Sequence, residues 1–182
     1  GGSSWIPRIL DTVNTLNALT FPSISRGWIV GDNGEIKWTA DNGASWTRLA
    51  NNVTLDLYDN YFLDSQTGWS VGALGTVLRT VNGGLNWIRD VTPTNSSLRS
   101  VFFTSLTSGL AVGDAGTVLR TTDGFTWSES SLGPGGALAS VFFVDASTGW
   151  IVGEEGTNMK TTDGGTTWTD DDPADTNYSY LS

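Results

Sequence analysis

Asp32, Asp114 and Glu154 recur at one equivalent position of a repeated sequence unit, and carboxylates set at fixed spacing are the starting material for glycoside hydrolysis or metal binding. The second unit breaks the series with Ala73. A residue that recurs with the unit is ordinarily a feature of the fold. The 182 residues hold neither cysteine nor histidine. Thiolate nucleophiles, imidazole bases, disulfides and the usual zinc, copper or haem ligands are therefore excluded. No glycine loop followed by lysine is present to cradle a phosphate. The chain is expected to be non-catalytic, with no cofactor and no metal.

The unit that carries those carboxylates is set by tryptophan. Trp5, Trp46, Trp87, Trp127 and Trp168 stand 41, 41, 40 and 41 residues apart, which is the signature of a repeat architecture. A phenylalanine column, Phe21, Phe62, Phe103 and Phe143, keeps the same register. Each phenylalanine is followed by a turn and a five-residue segment bounded by glycines: GWIVG from Gly27, GWSVG from Gly68, GLAVG from Gly109 and GWIVG from Gly149. The boundaries read as a last strand over 1–13, repeat units over 14–48, 55–89, 96–130 and 136–170, and an extended tail over 171–182, all in one repeat domain.

Within a unit the apolar residues have period two, which predicts strands. In the fourth copy the expected strands are 138–144, 150–152, 157–161 and 167–170, separated by turns rich in Gly, Asp, Ser and Thr. Such a meander is apolar on both faces, so it must pack face to face with its neighbours. Radial packing of four-stranded antiparallel sheets gives an all-β propeller of about four blades. A straight solenoid is the alternative architecture.

Composition fits that picture. Hydrophobic residues make up 38% and aromatic residues 11%, enough for a packed core. Nineteen acidic against nine basic residues give a net charge of −10, which repels phosphate backbones and anionic lipid. Nucleic acid is not an expected partner. The sequence has no apolar stretch long enough to insert in a membrane.

The turn before each repeat tryptophan is the most specific motif. Thr39, Asp41, Gly43, Ser45 and Trp46, and again Thr161, Asp163, Gly165, Thr167 and Trp168, follow the pattern Ser/Thr, any, Asp, any, Gly, any, Ser/Thr, Trp. Thr80, Asn82, Gly84 and Trp87 form a degraded copy, and the third copy, around Asp123 and Trp127, lacks one residue. This turn resembles the Asp-box, or BNR repeat, of sialidases and related propellers. Its Asp and hydroxyl groups can bond the turn's own amides, its glycine can take positive φ, and its tryptophan can pin the hairpin to a neighbouring sheet. Trp46, Trp87, Trp127 and Trp168 are accordingly expected to be largely buried. A sialidase would also need a cluster of three arginines, and Arg8, Arg26, Arg48 and Arg89 fall at unrelated repeat positions.

Taken with the surrounding string GWIVGDNGEIKWTADNGASW, recurring as GWIVGEEGTNMKTTDGGTTW, the repeats resemble those of the photosystem II assembly and stability factor family and its bacterial relatives. The resemblance implies a propeller that binds protein partners without catalysis, in a ring of more blades than four units supply. Arg79, Arg120 and Lys160 are equivalent in successive units, with Trp38 in the first. They form a candidate partner surface, since arginines at comparable positions serve that role in the family the repeats resemble.

The ends fall out of register with the units. Gly1 to Trp5 align with the end of an acidic turn, and Ser179 aligns with the start of a fifth unit. A surplus terminal strand can add to another molecule's sheet edge, so head-to-tail self-assembly is the leading expectation. Trp5, Ile6 and Arg8, or Tyr178, Tyr180 and Leu181, are the candidate assembly residues. The competing expectation is a single propeller module that binds another protein or a glycan. Asn52, Asn95 and Asn177 fit the N-glycosylation pattern. An extracellular or cell-surface location is expected, with the periplasm or thylakoid lumen as the alternative.

Overall fold

The computed structural model describes residues 7–8, 10–132 and 135–171. They form four four-stranded antiparallel sheets, each a simple meander. The first holds β1 (Leu16–Thr20), β2 (Gly27–Gly31), β3 (Ile36–Thr39) and β4 (Thr47–Arg48). The second holds β5 (Leu57–Phe62), β6 (Gly68–Gly72), β7 (Thr76–Thr80) and β8 (Ile88–Asp90). β9 (Leu98–Phe103), β10 (Gly109–Gly113), β11 (Thr117–Thr121) and β12 (Trp127–Ser131) make the third. β13 (Leu138–Phe143), β14 (Gly149–Gly153), β15 (Asn158–Thr161) and β16 (Thr169–Asp170) make the fourth.

The chain is thus an all-β propeller of four blades. First strands of successive sheets lie close together and last strands do not, so β1, β5, β9 and β13 form the hub of the arc. In the fourth unit the observed strands sit within a residue or two of the expected segments, and β16 is the shortest relative to expectation. The third strand of that unit begins at Asn158 because Glu154–Gly156 is wound as a tight 3-10 turn ahead of it.

Two glycines in every blade explain how the strands pack. A Cβ at Gly27, Gly68, Gly109 or Gly149 would stand about 2.6 Å from the ring of the phenylalanine at or just past the end of the preceding strand. The bare backbone is what lets that ring lie flat. At the far end of the same strand, a Cβ on Gly72 would meet the Asp56 carbonyl at 2.0 Å, where a bulge between Leu57 and Asp59 turns the first strand toward it.

Three apolar seams hold the blades together. In the first, Trp28 of β2 stacks on Phe62 of the next blade at 3.9 Å, and Phe62 in turn meets Trp87 edge-on at 6.0 Å. Trp69, Phe103 and Trp127 repeat the arrangement in the second seam, at 3.4 and 5.8 Å. Leu110 replaces the first tryptophan in the third, beside Phe143 and Trp168. The first two seams also have a polar lock: Trp28 Nε1 donates to the Gly83 carbonyl and Trp69 Nε1 to the Gly124 carbonyl, both at 3.2 Å.

This corrects one expectation. Trp127 is buried, but Trp46, Trp87 and Trp168 are only half-buried. The fully enclosed indoles are Trp28 and Trp69. The reason is topological: Trp46, Trp87 and Trp168 stand one residue ahead of the last strand of their blade, on the outer side of the arc, and cover their own blade's phenylalanine from there, whereas Trp127 lies within its longer last strand. The second-strand tryptophan lies between two sheets.

Candidate functional site

The acidic turns close on themselves. Asp41 accepts the Ser45 amide at 2.9 Å, the Ser45 hydroxyl at 2.6 Å and the Thr39 hydroxyl at 2.7 Å, while Thr39 Oγ1 accepts the Gly43 amide at 3.0 Å. Asp163 repeats this with Thr167 and Thr161, and Thr161 Oγ1 takes the Gly165 amide. In the second blade Asn82 does the same work uncharged, accepting from Thr80 and from the Asn86 amide, with Gly84 bonded to Thr80. The one-residue deletion in the third turn moves the Thr121 hydroxyl bond onto Gly124 and leaves Asp123 bonding Thr126 and Phe125.

Those donors hold the carboxyls of Asp41, Asp123 and Asp163 at about 2. For Asp41 and Asp163 a serine or threonine hydroxyl contributes most; for Asp123 it is the Phe125 amide. A carboxylate so strongly engaged is a poor proton donor or acceptor near neutrality. Asp32, Asp114 and Glu154 each have a hydrogen-bond partner: Asn17 at 2.9 Å, Arg99 at 2.6 Å and the Ala137 amide at 2.9 Å. Among the described residues no cluster of three or more His, Cys, Asp or Glu is placed to hold a metal.

The basic column does not form one open surface. Trp38 packs against the first seam. Arg79 pairs with Asp90 at 3.5 Å and lies over the Phe125 ring of the next blade at 5.9 Å. Burial pushes the Asp90 carboxyl up, against the pull of Arg79, and the same carboxylate accepts Trp127 Nε1 at 3.4 Å. Arg120 donates across the third seam to the Gly164 carbonyl at 3.3 Å. Lys160, on the last blade, reaches Asp171 at 3.7 Å and the Trp150 ring at 5.2 Å. Three of the four therefore serve the joints between blades, and the fourth its own blade.

Of the candidate assembly residues, Arg8 is exposed, and Trp5, Ile6, Tyr178, Tyr180 and Leu181 lie outside the described residues. Asn52 and Asn95 are exposed in loops between blades; Asn177 also lies outside the described residues.

An aromatic ladder at the hub went unnoticed in the sequence. Tyr61, Phe102 and Phe142 each precede the phenylalanine column by one residue, so they point to the other face of the first strand. Their rings run in sequence across three blades, Tyr61 to Phe102 at 4.8 Å and Phe102 to Phe142 at 5.3 Å. The ladder borders a groove of about 220 Å³ lined by Leu63, Phe103, Thr104, Phe143, Val144, Asp145 and Ala146 as well as the first two rings. Val144, in its lining, and Phe142, at the end of the ladder, are exposed. Three aromatics in one repeat column were the available signal; the neighbouring phenylalanine column masked it.

Residues 1–89 match the family described as Photosynthesis system II assembly factor YCF48. Among solved structures, YCF48 from Cyanidioschyzon merolae superposes with a TM-score of 0.70 at 20% identity, over 89% of this chain and 57% of that one. A YCF48 bound to D1 peptide gives 0.50 at 19% identity, over 94% and 72%. An ancestral GH74 enzyme gives 0.74 at 17% identity, over 92% of this chain and 25% of that one. No curated protein matches. The chain is a BNR-repeat β-propeller resembling the photosystem II assembly factor family, and it spans little more than half the length of the Cyanidioschyzon protein. No helix among the described residues is long and apolar enough to cross a membrane.

Proposed function

We propose that this propeller is a non-catalytic module that binds an extended apolar segment of a partner protein along the hub ladder. The observation that carries the reading is the row Tyr61, Phe102 and Phe142 with its adjoining groove, since aromatic surface at a partly exposed cleft is the composition of a peptide-binding site. A relative of the same fold is bound to D1 peptide, which makes a peptide the natural class of ligand. The engaged state of every repeated carboxylate supports a binding role over hydrolysis. The reading includes a location outside the cytoplasm, the lumenal or periplasmic setting that the resemblance implies, and glycans on Asn52 and Asn95 in a glycosylating host.

Calorimetric titration of the intact chain with the D1 peptide tests the binding site. Saturable binding is expected, weakened about tenfold or more by Val144→Asp, which puts a charge on the exposed rim without touching a seam. Absence of binding, or binding indifferent to Val144→Asp, would sink the groove reading.

A second reading is head-to-tail self-association. It is favoured by the two ends of the arc, where Leu19 and Val152 are exposed at positions whose equivalents Val141, Val30, Val71 and Val112 are buried in the inner seams.

A further inference from the structure

The two end faces of the arc are the two halves of a seam. In each inner seam, one blade offers its second-strand residues and the next blade offers its first-strand face and its acidic turn. The fourth blade offers Trp150 and Val152 at the positions held by Trp28 and Val30, Trp69 and Val71, and Leu110 and Val112. Val30, Val71 and Val112 are fully buried, whereas Val152 is 44% exposed. The first blade offers Leu19 and Phe21 at the positions of Val141 and Phe143. Leu19 is 58% exposed where Val141 is 4%. Among the described residues no apolar cluster and no ring contact joins the fourth sheet to the first.

The first-blade half is already assembled. Phe21 and Trp46 meet edge-on at 5.9 Å and 84°, the same geometry as Phe62 with Trp87 and Phe103 with Trp127, but with no ring of a preceding blade stacked on Phe21. The carbonyl that receives the indole is also preformed. Asn42 occupies the place of Gly83: its amide bonds the Ser25 carbonyl as that of Gly83 bonds Gln66, and its φ of 59° matches the 67° of Gly83. On the fourth blade, Trp150 Nε1 is held by Asp171 at 2.8 Å in the absence of such a carbonyl.

We propose that a second copy of this chain docks its first blade on the fourth blade of the first, rebuilding the acidic-turn end of the inner seam a fourth time. Trp150 then stacks on Phe21 of the second copy and passes its indole hydrogen bond to the Asn42 carbonyl. Val152 and Phe142 close over Leu19. The occupant is a second copy because this chain carries the complementary half of the surface in the same repeat register, and exposed apolar faces of this kind mark interfaces. The far end of each face is more polar. Asn158 replaces Ile36, Val77 and Val118 there, and on the first blade Ile29 and Lys37 are already buried within the chain, Lys37 paired with Glu35 at 3.4 Å and donating to the Asp11 carbonyl at 3.5 Å, so the contact is confined to the part near the acidic turns. Donor and acceptor faces differ, so the contact is heterologous and either closes a ring or extends.

This inference rests on the self-association reading and replaces exchanged strands with a sheet-face contact. Sedimentation of the intact chain from micromolar to about 100 μM covers the affinity range of transient interfaces. A mass above the 19.4 kDa of one chain is expected at the upper end, and more of it at higher salt, since each copy carries −10. Leu19→Lys and Val152→Lys alter side chains already exposed, so both variants fold, and each alone is expected to lose self-association altogether, since every seam needs one intact first blade and one intact fourth blade. Mixed together they form a 1:1 dimer, through the intact fourth blade of the first and the intact first blade of the second. Failure of the mixture to give that dimer, or variants that assemble like the parent, overturns the seam. Loss of assembly on deleting residues 173–182, with the two lysine variants unaffected, overturns it in favour of strand exchange. A single-chain mass for the parent throughout the range overturns both the seam and the self-association reading.

Discussion

Asp163 and Asn82 perform the same turn with and without a charge, which separates what the hydrogen bonds contribute from what ionisation contributes. Asp163→Asn keeps the oxygen that accepts Thr161 and the Thr167 amide, as Asn82 keeps the equivalent bonds. What it removes is the pH dependence. The carboxyls of Asp41, Asp123, Asp145 and Asp163 are each held at about 2, below the unfolded value near 4. Each therefore stabilises the fold above about pH 4 and loses that contribution as pH falls toward about 2. Asp59 works in the opposite sense. Burial raises its carboxyl against the pull of the Val101 and Asn60 amides, so ionising it as pH rises weakens the fold. Urea unfolding between pH 2 and 5 is expected to show stability rising with pH in the parent and rising less in Asp163→Asn. An unchanged slope would mean that the turn carboxylates are not the source of the acid limb. The indoles give a second residue-scale test. Trp69→Ala empties a fully enclosed site and removes the bond to Gly124, and is expected to cost about 3 to 5 kcal/mol. Trp46→Ala, at a half-buried site with no neighbouring blade, is expected to cost about 1 to 2 kcal/mol. Equal losses would return the main packing role to the repeat tryptophans.

Strands and turns were readable because the signals that fix them are local and recur. Period-two alternation placed the four strands of each blade, and the Thr, Asp and Gly spacing placed the tight turn, since both depend on residues within one hairpin. The seams were not readable in the same way. Trp28 and Trp150 occupy the same column in the same pentapeptide, yet one is enclosed and the other stands at an end of the arc, and only the presence of a neighbouring sheet makes the difference. The basic column shows the same limit: its regular spacing was visible, but its contact with the next blade's turn was not. Glycine positions lie between these cases, conspicuous in sequence and explained only by the backbone they face. Gly72→Ala would drive a methyl into the Asp56 carbonyl that lies 2.0 Å from the Cβ position. It is expected to cost about 1 to 3 kcal/mol by forcing the strands apart at the bulge. Ala111→Gly in the neighbouring blade's equivalent strand removes one buried methyl and is expected to cost about 1 kcal/mol. Thermal unfolding of the two variants ranks them, and a harmless Gly72→Ala would show that the bulge relaxes freely.

Across the whole molecule, stability is carried by contacts between neighbours, since each seam joins only consecutive blades. Such a chain behaves as a one-dimensional array whose inner units are supported on both sides and whose end units are supported on one. The second and third blades should therefore open only with the whole fold, while the first and fourth can open separately at lower free energy. Their last strands reinforce the contrast: β4 and β16 have two residues each, against five in β12. Hydrogen exchange at micromolar concentration is expected to show strongest protection in β5, β6, β9 and β10, with faster exchange in β4 and β16. β1 and β14 should be intermediate, because each belongs to an end blade but pairs within a complete sheet. Raising the concentration into the range where chains associate should slow exchange in β1 and β14 specifically, since those strands carry Leu19 and Val152. Uniform protection in all four blades of the dilute chain would show that the end faces are already covered within one molecule, and the nearest-neighbour account of its stability would fail.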